Sequence, residues 1–382
     1  MARPYAELTG ALQGGEAIYR SAETLVGDCG EVLHSLEQKA DTGNDLLRSL
    51  KSQQAQLARQ RCQVEATQKK NKNEETVQKL QQQENEVLDQ IRKQQAELHR
   101  IVQDQLRVAD RLQAMVPRIR TQKEQCQALE KEFDAAARQA AQSAELEKQI
   151  GARRFGANEA LSAAAQANLR SGEHRQGARK AYRLSIQYSI LLDKIQELCQ
   201  KSSKKAIVQD GALYLDTLSP EQRKAIYDYT TEAPGEPTYK NINKTMRDPK
   251  NHRFLPGNKE RALAMHQALS GASLPAACTV YRGTSSAALA SYADLPDEEI
   301  VGKVLPERAF LSTSLNKEDS FGGEVKLCIE VPAGTHGVYI GSLSAAGDAE
   351  SEVLFDFGQM MRVTGVERTA SGVRTIHAKM LT

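Results

Sequence analysis

The chain contains no tryptophan, and aromatic residues make up only 5% of its 382 positions. Aromatic side chains bury the most apolar area per residue, so a shortage of them is unfavourable for one large hydrophobic core. The length also exceeds the usual range of a single domain. We therefore expect the chain to form two domains.

The chain also lacks an excess of either positive or negative charge. The 51 lysine and arginine residues nearly balance the 49 aspartate and glutamate residues, which leaves a net charge of +2. A protein that attracts nucleic acid or an anionic membrane over its whole surface carries a clear positive excess. The composition therefore argues against both as general properties and leaves room only for a local basic patch.

Several sequence signals are missing as well. No run approaches 18 consecutive apolar residues, and residues 1–20 have no apolar stretch of signal-peptide length, so we expect neither a transmembrane helix nor cleaved secretion. The six cysteines form no CxxC pair, which predicts reduced thiols without a disulfide framework or a zinc site. The absence of GxGxxG, GxxxxGKS and GxxxxGKT argues against Rossmann and P-loop sites. The histidines follow no metal-ligating pattern, so we expect no metal.

Proline and aromatic residues divide the chain near residue 200. Nine of the eleven prolines and twelve of the eighteen aromatic residues lie after that point. The first part is rich in glutamine, alanine, glutamate, lysine and leucine, which favour helices. We expect an all-α coiled coil or helical bundle over residues 1–200 and a second domain over 206–382. The last helix of the first part is predicted over residues 176–200, and a linker over 201–205.

The first part also carries a heptad pattern of apolar residues. With Val77 at position a, ten of the thirteen a and d positions through Ile119 are apolar, and the register continues to Phe133. A pattern of this length predicts a coiled coil or a bundle of long helices. We expect a hairpin corner or stutter across residues 69–73 and a kink or helix end at Pro117.

The second part changes to a mixture of periods. Ser219 supplies a capping hydroxyl before Pro220, which predicts a helix through about Thr230, and two more helices are predicted over residues 239–247 and 259–269. Helices followed by alternating strand patterns predict an α+β domain. The predicted strands cover residues 279–282, 325–331, 352–357 and 373–380.

Three short motifs in the second part have chemically suggestive residues. They are Tyr281-Arg282-Gly283, Ser312-Thr313-Ser314 and Glu350-Ser351-Glu352. Each alone also fits a plain structural role, as a surface ion pair, a hydroxyl-rich turn or a solvated strand face. An arginine on a strand can grip phosphate with two N–H groups, and a following glycine lets a ligand approach the backbone closely. Two glutamates one residue apart on a strand would point to the same face.

In this order, the three motifs resemble the R-S-E class of ADP-ribosyltransferases, which contains arginine-modifying bacterial toxins, secreted effectors and animal ecto-enzymes. The resemblance covers residues 208–382 and implies that this part has the ADP-ribosyltransferase fold. Met246 departs from the pattern, since the family usually has leucine there. Further segments that match the family are residues 218–222, 226–230, 239–247, Phe321, 329–335 and 343–344.

The resemblance implies NAD as co-substrate, no metal, and a catalytic set of Arg282, Ser312, Glu350 and Glu352. The reaction splits the nicotinamide–ribose bond through a sugar cation, as glycosidases do. Glu352 would stabilise that cation, Ser312 would fix the rotamer of Glu352, and Glu350 would orient and deprotonate the acceptor. The implied NAD contacts are Arg282, Gly283, Ser312, Thr313, Phe321, Asn243 and Arg247.

We therefore expect a mono-ADP-ribosyltransferase that modifies a protein side chain, arginine before others such as threonine. Two alternatives stay open: an NAD glycohydrolase that passes the ribose to water, and a coiled-coil scaffold with an inactive transferase-like domain. The resemblance implies an effector that reaches a host cytosol without a cleaved signal peptide, with action inside its own cell as the alternative. Expected partners are NAD, a protein acceptor and a coiled-coil partner or second copy. A fragment of residues 206–382 is expected to fold alone and bind NAD.

Overall fold

The structure is a computed structural model in which residues form two compact units. Residues 1–35 and 107–199 make up the helical unit, and residues 36–106 and 200–382 make up the mixed unit. Long helices precede a mixed sheet, which confirms the predicted fold class. The residues that the structure describes are 3–67, 74–153, 157–231, 238–286, 289, 292–293, 295–320, 322–369 and 372–381.

Three long helices form most of the first part: α1 (Tyr5–Thr67), α2 (Glu74–Arg153) and α3 (Ala157–Leu215). Most of the heptad positions of α2 between Val87 and Phe133 are buried, so the predicted pattern does mark its inward side. Pro117 lies inside α2, and the helix end proposed there is wrong. The predicted corner across residues 69–73 falls outside the described residues. No described helix combines the length and apolarity that a membrane span requires.

The predicted bounds of the last helix and of the linker are both wrong. α3 starts before residues 176–200 and continues through the polar stretch 201–205. That stretch contains no glycine or proline, and the Ser202 hydroxyl donates to the Gln105 carbonyl oxygen at 3.3 Å. Ile207 just beyond it is buried in the core of the mixed unit. Tertiary packing therefore keeps this part of the chain helical.

In the helical unit, α1, α2 and α3 bury a shared apolar core. Phe133 and Tyr188 are its largest fully buried side chains, and the Tyr188 hydroxyl donates to the Gly15 carbonyl oxygen at 2.8 Å. A Cβ at Gly177 would lie 2.5 Å from the Phe133 ring. A glycine is therefore required for α3 to approach this phenylalanine so closely.

Shorter helices of the mixed unit pack against its sheet. They are α4 (Pro220–Thr230), α5 (Thr238–Arg247), α6 (Asn258–Ser270) and α7 (Asp297–Ile300). The first three lie within two residues of their predicted bounds. Ser219 caps α4 reciprocally, because its hydroxyl accepts the Gln222 N–H at 3.2 Å while its own N–H donates to the Gln222 side chain at 3.0 Å.

Within the described residues, eight strands form one sheet. They are β1 (Cys278–Thr284), β2 (Val304–Glu307), β3 (Leu311–Ser314), β4 (Val325–Val331), β5 (Gly337–Tyr339), β6 (Glu352–Phe355), β7 (Gln359–Arg368) and β8 (Arg374–Leu381). Their order is β2-β7-β8-β4-β1-β3-β6-β5, with β4 and β8 parallel and the other neighbours antiparallel. No strand was predicted from the sequence at β2, β5 or β7, and in β7 the alternation is broken by a register shift between Val363 and Gly365.

Strand β6 contributes to both of the cores that lie against the sheet. Val353 and Phe355 belong to one core, and Leu354 joins the other together with residues of α4, α5 and α6. Side chains alternate along a strand, so Glu352 shares the face of Leu354. The fold therefore brings a carboxylate to a buried position beneath the helices.

Candidate active site

Arg282, Ser312 and Glu352 converge because their strands β1, β3 and β6 are consecutive in the sheet. Ser314 pairs with Tyr281 on one side and with Glu352 on the other. The Ser312 hydroxyl donates to Glu352 Oε1 at 2.6 Å, and Arg282 Nη1 donates to the Ser312 carbonyl oxygen at 2.9 Å. Three residues that are far apart in the chain therefore form one hydrogen-bonded group.

Glu352 is a buried carboxylate whose two oxygens are both held. It is 4% exposed, and the Ser344 hydroxyl donates to its Oε2 at 3.2 Å. Burial raises the pKa of Glu352, and the nearby charge of Glu350 raises it further, while the two serine hydrogen bonds and Arg282 act in the opposite direction. The hydrogen bonds fix the orientation of a group that burial would otherwise favour as the neutral acid.

Replacing Ser312 by alanine should move the acid limb of the pH–activity profile to higher pH. The variant loses the donor that stabilises ionised Glu352, so the pKa of the carboxyl rises and a higher pH is needed to ionise it. NAD hydrolysis measured across pH checks this. Ser344→Ala should give a smaller shift because its hydrogen bond is longer. An unchanged acid limb in Ser312→Ala would contradict this role.

Glu350 does not lie on a strand, which corrects the expected geometry of the glutamate pair. It ends a 3₁₀ helix, Gly347–Glu350, and Ser351 has the left-handed backbone conformation with φ of 46°. The two carboxylates are therefore not alternate residues of one strand face. They meet because a turn brings Glu350 to the start of β6, and both line the same narrow cleft.

That cleft has a volume of about 20 Å³ and lies beside the convergent group. Thr313 also borders it, but its hydroxyl donates to the Val353 carbonyl oxygen at 3.0 Å and is thus occupied within the sheet. Phe321, predicted to contact NAD, falls outside the described residues. The residues that line the cleft are Tyr281, Arg282, Gly283, Ser312, Thr313, Ser314, Asp319, Ser320, Glu350 and Glu352.

Arg282 lines both this cleft and a wider cavity of about 500 Å³. Burial lowers the pKa of Arg282, with Glu307, Tyr229 and Glu352 opposing the shift. A guanidinium stays protonated in proteins, so the arginine places a fixed positive charge where the two spaces meet. The wider cavity is also lined by Tyr239, Lys240, Asn243, Lys244, Arg247, Asp248 and His252.

Asn243 and Arg247 both face the wider cavity, and both have partners. Asn243 Nδ2 donates to the Tyr229 hydroxyl at 2.8 Å, whereas its buried Oδ1 accepts no hydrogen bond from the described residues. Arg247 donates to both carboxylate oxygens of Glu307, at 3.0 and 2.8 Å. The cavity wall therefore combines basic side chains with an asparagine whose amide nitrogen is held by Tyr229.

Several residues of this region were not predicted from the sequence. Ser344 had a signal in the family pattern, but its hydrogen bond to Glu352 crosses from a loop to a strand and cannot be read locally. Lys244 and His252 line the wider cavity, and only Lys244 lies on the same helix as the predicted pair. Glu307 on β2 gave no signal. Among the described residues, no group of three or more histidine, cysteine or acidic side chains is placed to hold a metal.

Comparisons with known proteins place this region in a family. Residues 196–381 match the family model described as ADP-ribosyltransferase exoenzyme. The chain matches no curated protein. It is similar in structure to Plx2a, an ADP-ribosyltransferase toxin from Paenibacillus larvae, with 21% identity and a TM-score of 0.41 over 48% of this chain and 96% of that one.

Two further solved structures have comparable similarity. One is C3stau2 from S. aureus with NAD, at 18% identity and a TM-score of 0.40 over 47% of this chain and 94% of that one. The other is Exoenzyme S from Pseudomonas aeruginosa in complex with human 14-3-3 protein beta and bound to Carba-NAD, at 21% identity and a TM-score of 0.36 over 47% and 88%. The motifs and the family match agree, and residues 196–381 of this chain form a domain of the ADP-ribosyltransferase exoenzyme family.

Proposed function

We propose that this chain is an NAD-dependent mono-ADP-ribosyltransferase that modifies a protein side chain, arginine before others. The observation that carries the proposal is the hydrogen-bonded group of Arg282, Ser312 and buried Glu352, with Glu350 on the same cleft. NAD donates the ADP-ribosyl group, and nicotinamide is the leaving group. The proposal needs the chain to bind a dinucleotide with a dianionic diphosphate, to stabilise a sugar cation and to prepare an acceptor.

The residues present fit a dinucleotide. Arg282 places a positive charge between the wider cavity and the narrow cleft, and Lys240 and Lys244 add charge to the cavity wall. Such a lining favours a diphosphate, since charged donors bind phosphate oxygens strongly. Asn243 is proposed to contact the dinucleotide from the same wall. Arg247 is already paired with Glu307, so its proposed role is to shape this cavity as well as to add charge.

Glu352 is the group proposed to stabilise the developing ribosyl cation. Its carboxylate is held by two serine hydroxyls and lies near the Arg282 guanidinium. A negative group fixed in a buried site interacts more strongly with a developing positive charge than one in water does. Ser312 is then a positioning residue that keeps the carboxylate ionised and aimed. Gly283, Thr313 and Phe321 are proposed NAD contacts, Thr313 through its backbone because its hydroxyl is engaged.

Glu350 is the group proposed to prepare the acceptor. It is partly exposed at the end of the 3₁₀ helix, whereas Glu352 is buried, so a protein side chain reaches Glu350 more readily. A carboxylate can accept two parallel N–H bonds from a guanidinium, and this favours arginine as the acceptor. It can also take the proton that the attacking nitrogen loses when the new bond to the ribose forms.

The test is incubation of the full chain with labelled NAD and cell lysate. Label on a protein supports the transferase, and mass spectrometry of the modified peptide identifies the acceptor residue. Release of free ADP-ribose without protein label would instead make the chain an NAD glycohydrolase. If neither labelled protein nor free ADP-ribose forms, the result supports the coiled-coil scaffold. Glu352→Gln serves as the control because it changes the carboxylate and little else.

The helical part of the chain is proposed to recognise a partner, to deliver the enzyme or to assemble copies. This proposal includes action as a bacterial effector on a host protein, supported by the match to an exoenzyme family. Coiled-coil surfaces perform such roles by burying an apolar seam against another helix. Comparing pull-down of lysate proteins by the full chain and by residues 206–382 tests the recognition role.

We expect residues 206–382 to hydrolyse NAD but to lose this activity at a lower temperature than the full chain. In the full chain, Asn44 and Gln209 exchange two amide hydrogen bonds of 2.6 and 3.0 Å, and Leu106 packs against the sheet core. The fragment lacks residues 36–106 and loses both contacts. Residual hydrolysis after heating measures the difference. If the fragment and the full chain keep the same fraction of NAD hydrolysis after heating, α1 and α2 do not stabilise the catalytic part.

A further inference from the structure

Ser351, between the two glutamates, adopts a backbone conformation that favours glycine. Its φ is 46°, and among the described residues no other non-glycine residue has a positive φ. Such a conformation is costly for a residue with a Cβ and persists only where the surroundings enforce it. The turn at Ser351 determines where Glu350 lies relative to Glu352, so whatever enforces it also directs Glu350.

Hydrogen bonds from the loop after β3 hold Ser351 in this conformation. The Ser351 carbonyl oxygen accepts the Leu315 N–H at 3.0 Å, and the Ser351 hydroxyl donates to Asp319 Oδ2 at 2.7 Å. Asn316 Nδ2 donates both to Asp319 Oδ2 and to the Ser351 hydroxyl, each at 2.9 Å. The pKa of Asp319 is lowered by these two side-chain hydrogen bonds, which keeps it an ionised acceptor.

The loop is in turn anchored at two further points. The Asn316 N–H donates to the Ser314 hydroxyl at 3.1 Å, next to the strand pair that holds Glu352. Lys204, on α3, donates to Asn316 Oδ1 at 3.1 Å. Asn316 is thus oriented from three sides, and its amide presents both hydrogens to the Asp319–Ser351 pair. The contacts form a closed network and leave the turn little freedom.

We propose that Asp319, with Asn316 and Ser351, is a positioning residue that aims Glu350 at the acceptor and so governs whether ADP-ribose passes to protein or to water. The inference rests on the proposed function. Glu352 has its own supports in Ser312, Ser344 and the β3–β6 pairing, so loss of the Asp319 network displaces Glu350 and leaves Glu352 in place. Sugar-cation formation then continues while the protein acceptor is misaligned.

The test measures protein modification and NAD hydrolysis separately in the full chain carrying Asp319→Ala. Misplacing a reacting group by about 1 Å costs up to about 100-fold, so we expect protein modification to fall by at least about 10-fold while hydrolysis stays within about threefold. Asp319→Asn keeps an acceptor oxygen and should recover most of the loss. Glu318→Ala removes an exposed acidic residue from the same loop and should match the wild type in both assays.

Ser351→Gly separates the network from the backbone strain. Glycine adopts a positive φ without cost but lacks the hydroxyl that bonds Asp319. We expect the same selective loss of protein modification, because the hydrogen bond and not only the turn conformation is needed. Full retention of protein modification in both Ser351→Gly and Asp319→Ala would overturn the proposal. A parallel fall of both activities in folded Asp319→Ala would overturn it too.

Hydrogen exchange of residues 347–352 supplies a measure that does not depend on activity. Asp319→Ala should exchange faster there than the wild type, whereas Glu318→Ala should not. A wild-type chain without labelling or hydrolysis would refute the proposed function, and the exchange measurement would still decide on the network. Unchanged exchange in Asp319→Ala would show that the network does not hold the glutamate turn.

Discussion

Replacing Glu352 by alanine is expected to reduce both protein modification and NAD hydrolysis by about 100- to 1,000-fold. The loss follows from removing one preorganised charge at the reacting centre, since both reactions pass through the same sugar cation. Glu352→Asp should also fail, because a carboxylate one methylene shorter no longer meets the Ser312 and Ser344 hydroxyls and the ribose together. Steady-state rates of both reactions at saturating NAD measure the effect.

The control for this experiment is Glu330→Ala, which removes an exposed glutamate from β4 of the same sheet. It should keep both activities. Near-normal activity of Glu352→Ala would remove this residue from the centre of the mechanism. A matching loss in Glu330→Ala would mean that the assay reports damage to the sheet and not the chemistry.

The same glutamate should also reveal a conflict between stability and activity. Its pKa is raised in the folded state, so the folded chain binds the proton more tightly than the unfolded chain does. Ionisation of Glu352 therefore lowers the stability of the fold as the pH rises above the pKa of a glutamate in the unfolded chain. Glu352→Gln removes that cost while it keeps the shape of the side chain. We expect its melting temperature at neutral pH to equal or exceed that of the wild type although the activity is lost.

Replacing Glu350 by glutamine is expected to separate the two activities. Glutamine cannot take the proton from the acceptor, so protein modification should fall by about 100-fold or more, within the usual range for a general base. NAD hydrolysis should remain within a few-fold of the wild type, because Glu352 and its two serine donors are unchanged. The measurement is the ratio of labelled protein to free ADP-ribose at equal NAD consumption.

Glu330→Gln provides the matched control for Glu350→Gln, since it makes the same chemical change at an exposed position. Loss of hydrolysis in parallel with protein modification would show that Glu350 also holds NAD. Comparison with Asp319→Ala adds a further check. Both variants should lose protein modification selectively, but only Asp319→Ala should loosen the turn at Ser351, because Glu350→Gln leaves the Asp319 hydrogen bonds intact.

Much of the fold could be predicted because the signals lie close together in the chain. The heptad spacing around Val77–Phe133 requires a helix with one buried side, and that side is buried in α2. The Ser219–Pro220 pair marks the start of α4 through contacts within one turn. Strand β7 was missed because the register shift near Gly365 interrupts the alternation that identifies strands. The end of α3 was not predicted correctly, because the packing of Ile207 and not the helix propensity of the local residues keeps the chain helical beyond residue 205.

The sequence by itself determined which chemical groups the candidate site contains, since the arginine, serine and glutamate motifs are read from neighbouring residues. The tertiary structure alone decided how those groups are held. It placed Glu350 on a 3₁₀ helix, brought Ser344 to Glu352 and tied Ser351 to Asp319. The reason is physical: a hydrogen bond between residues of different loops depends on the path of the whole chain, whereas a motif depends only on its own few residues.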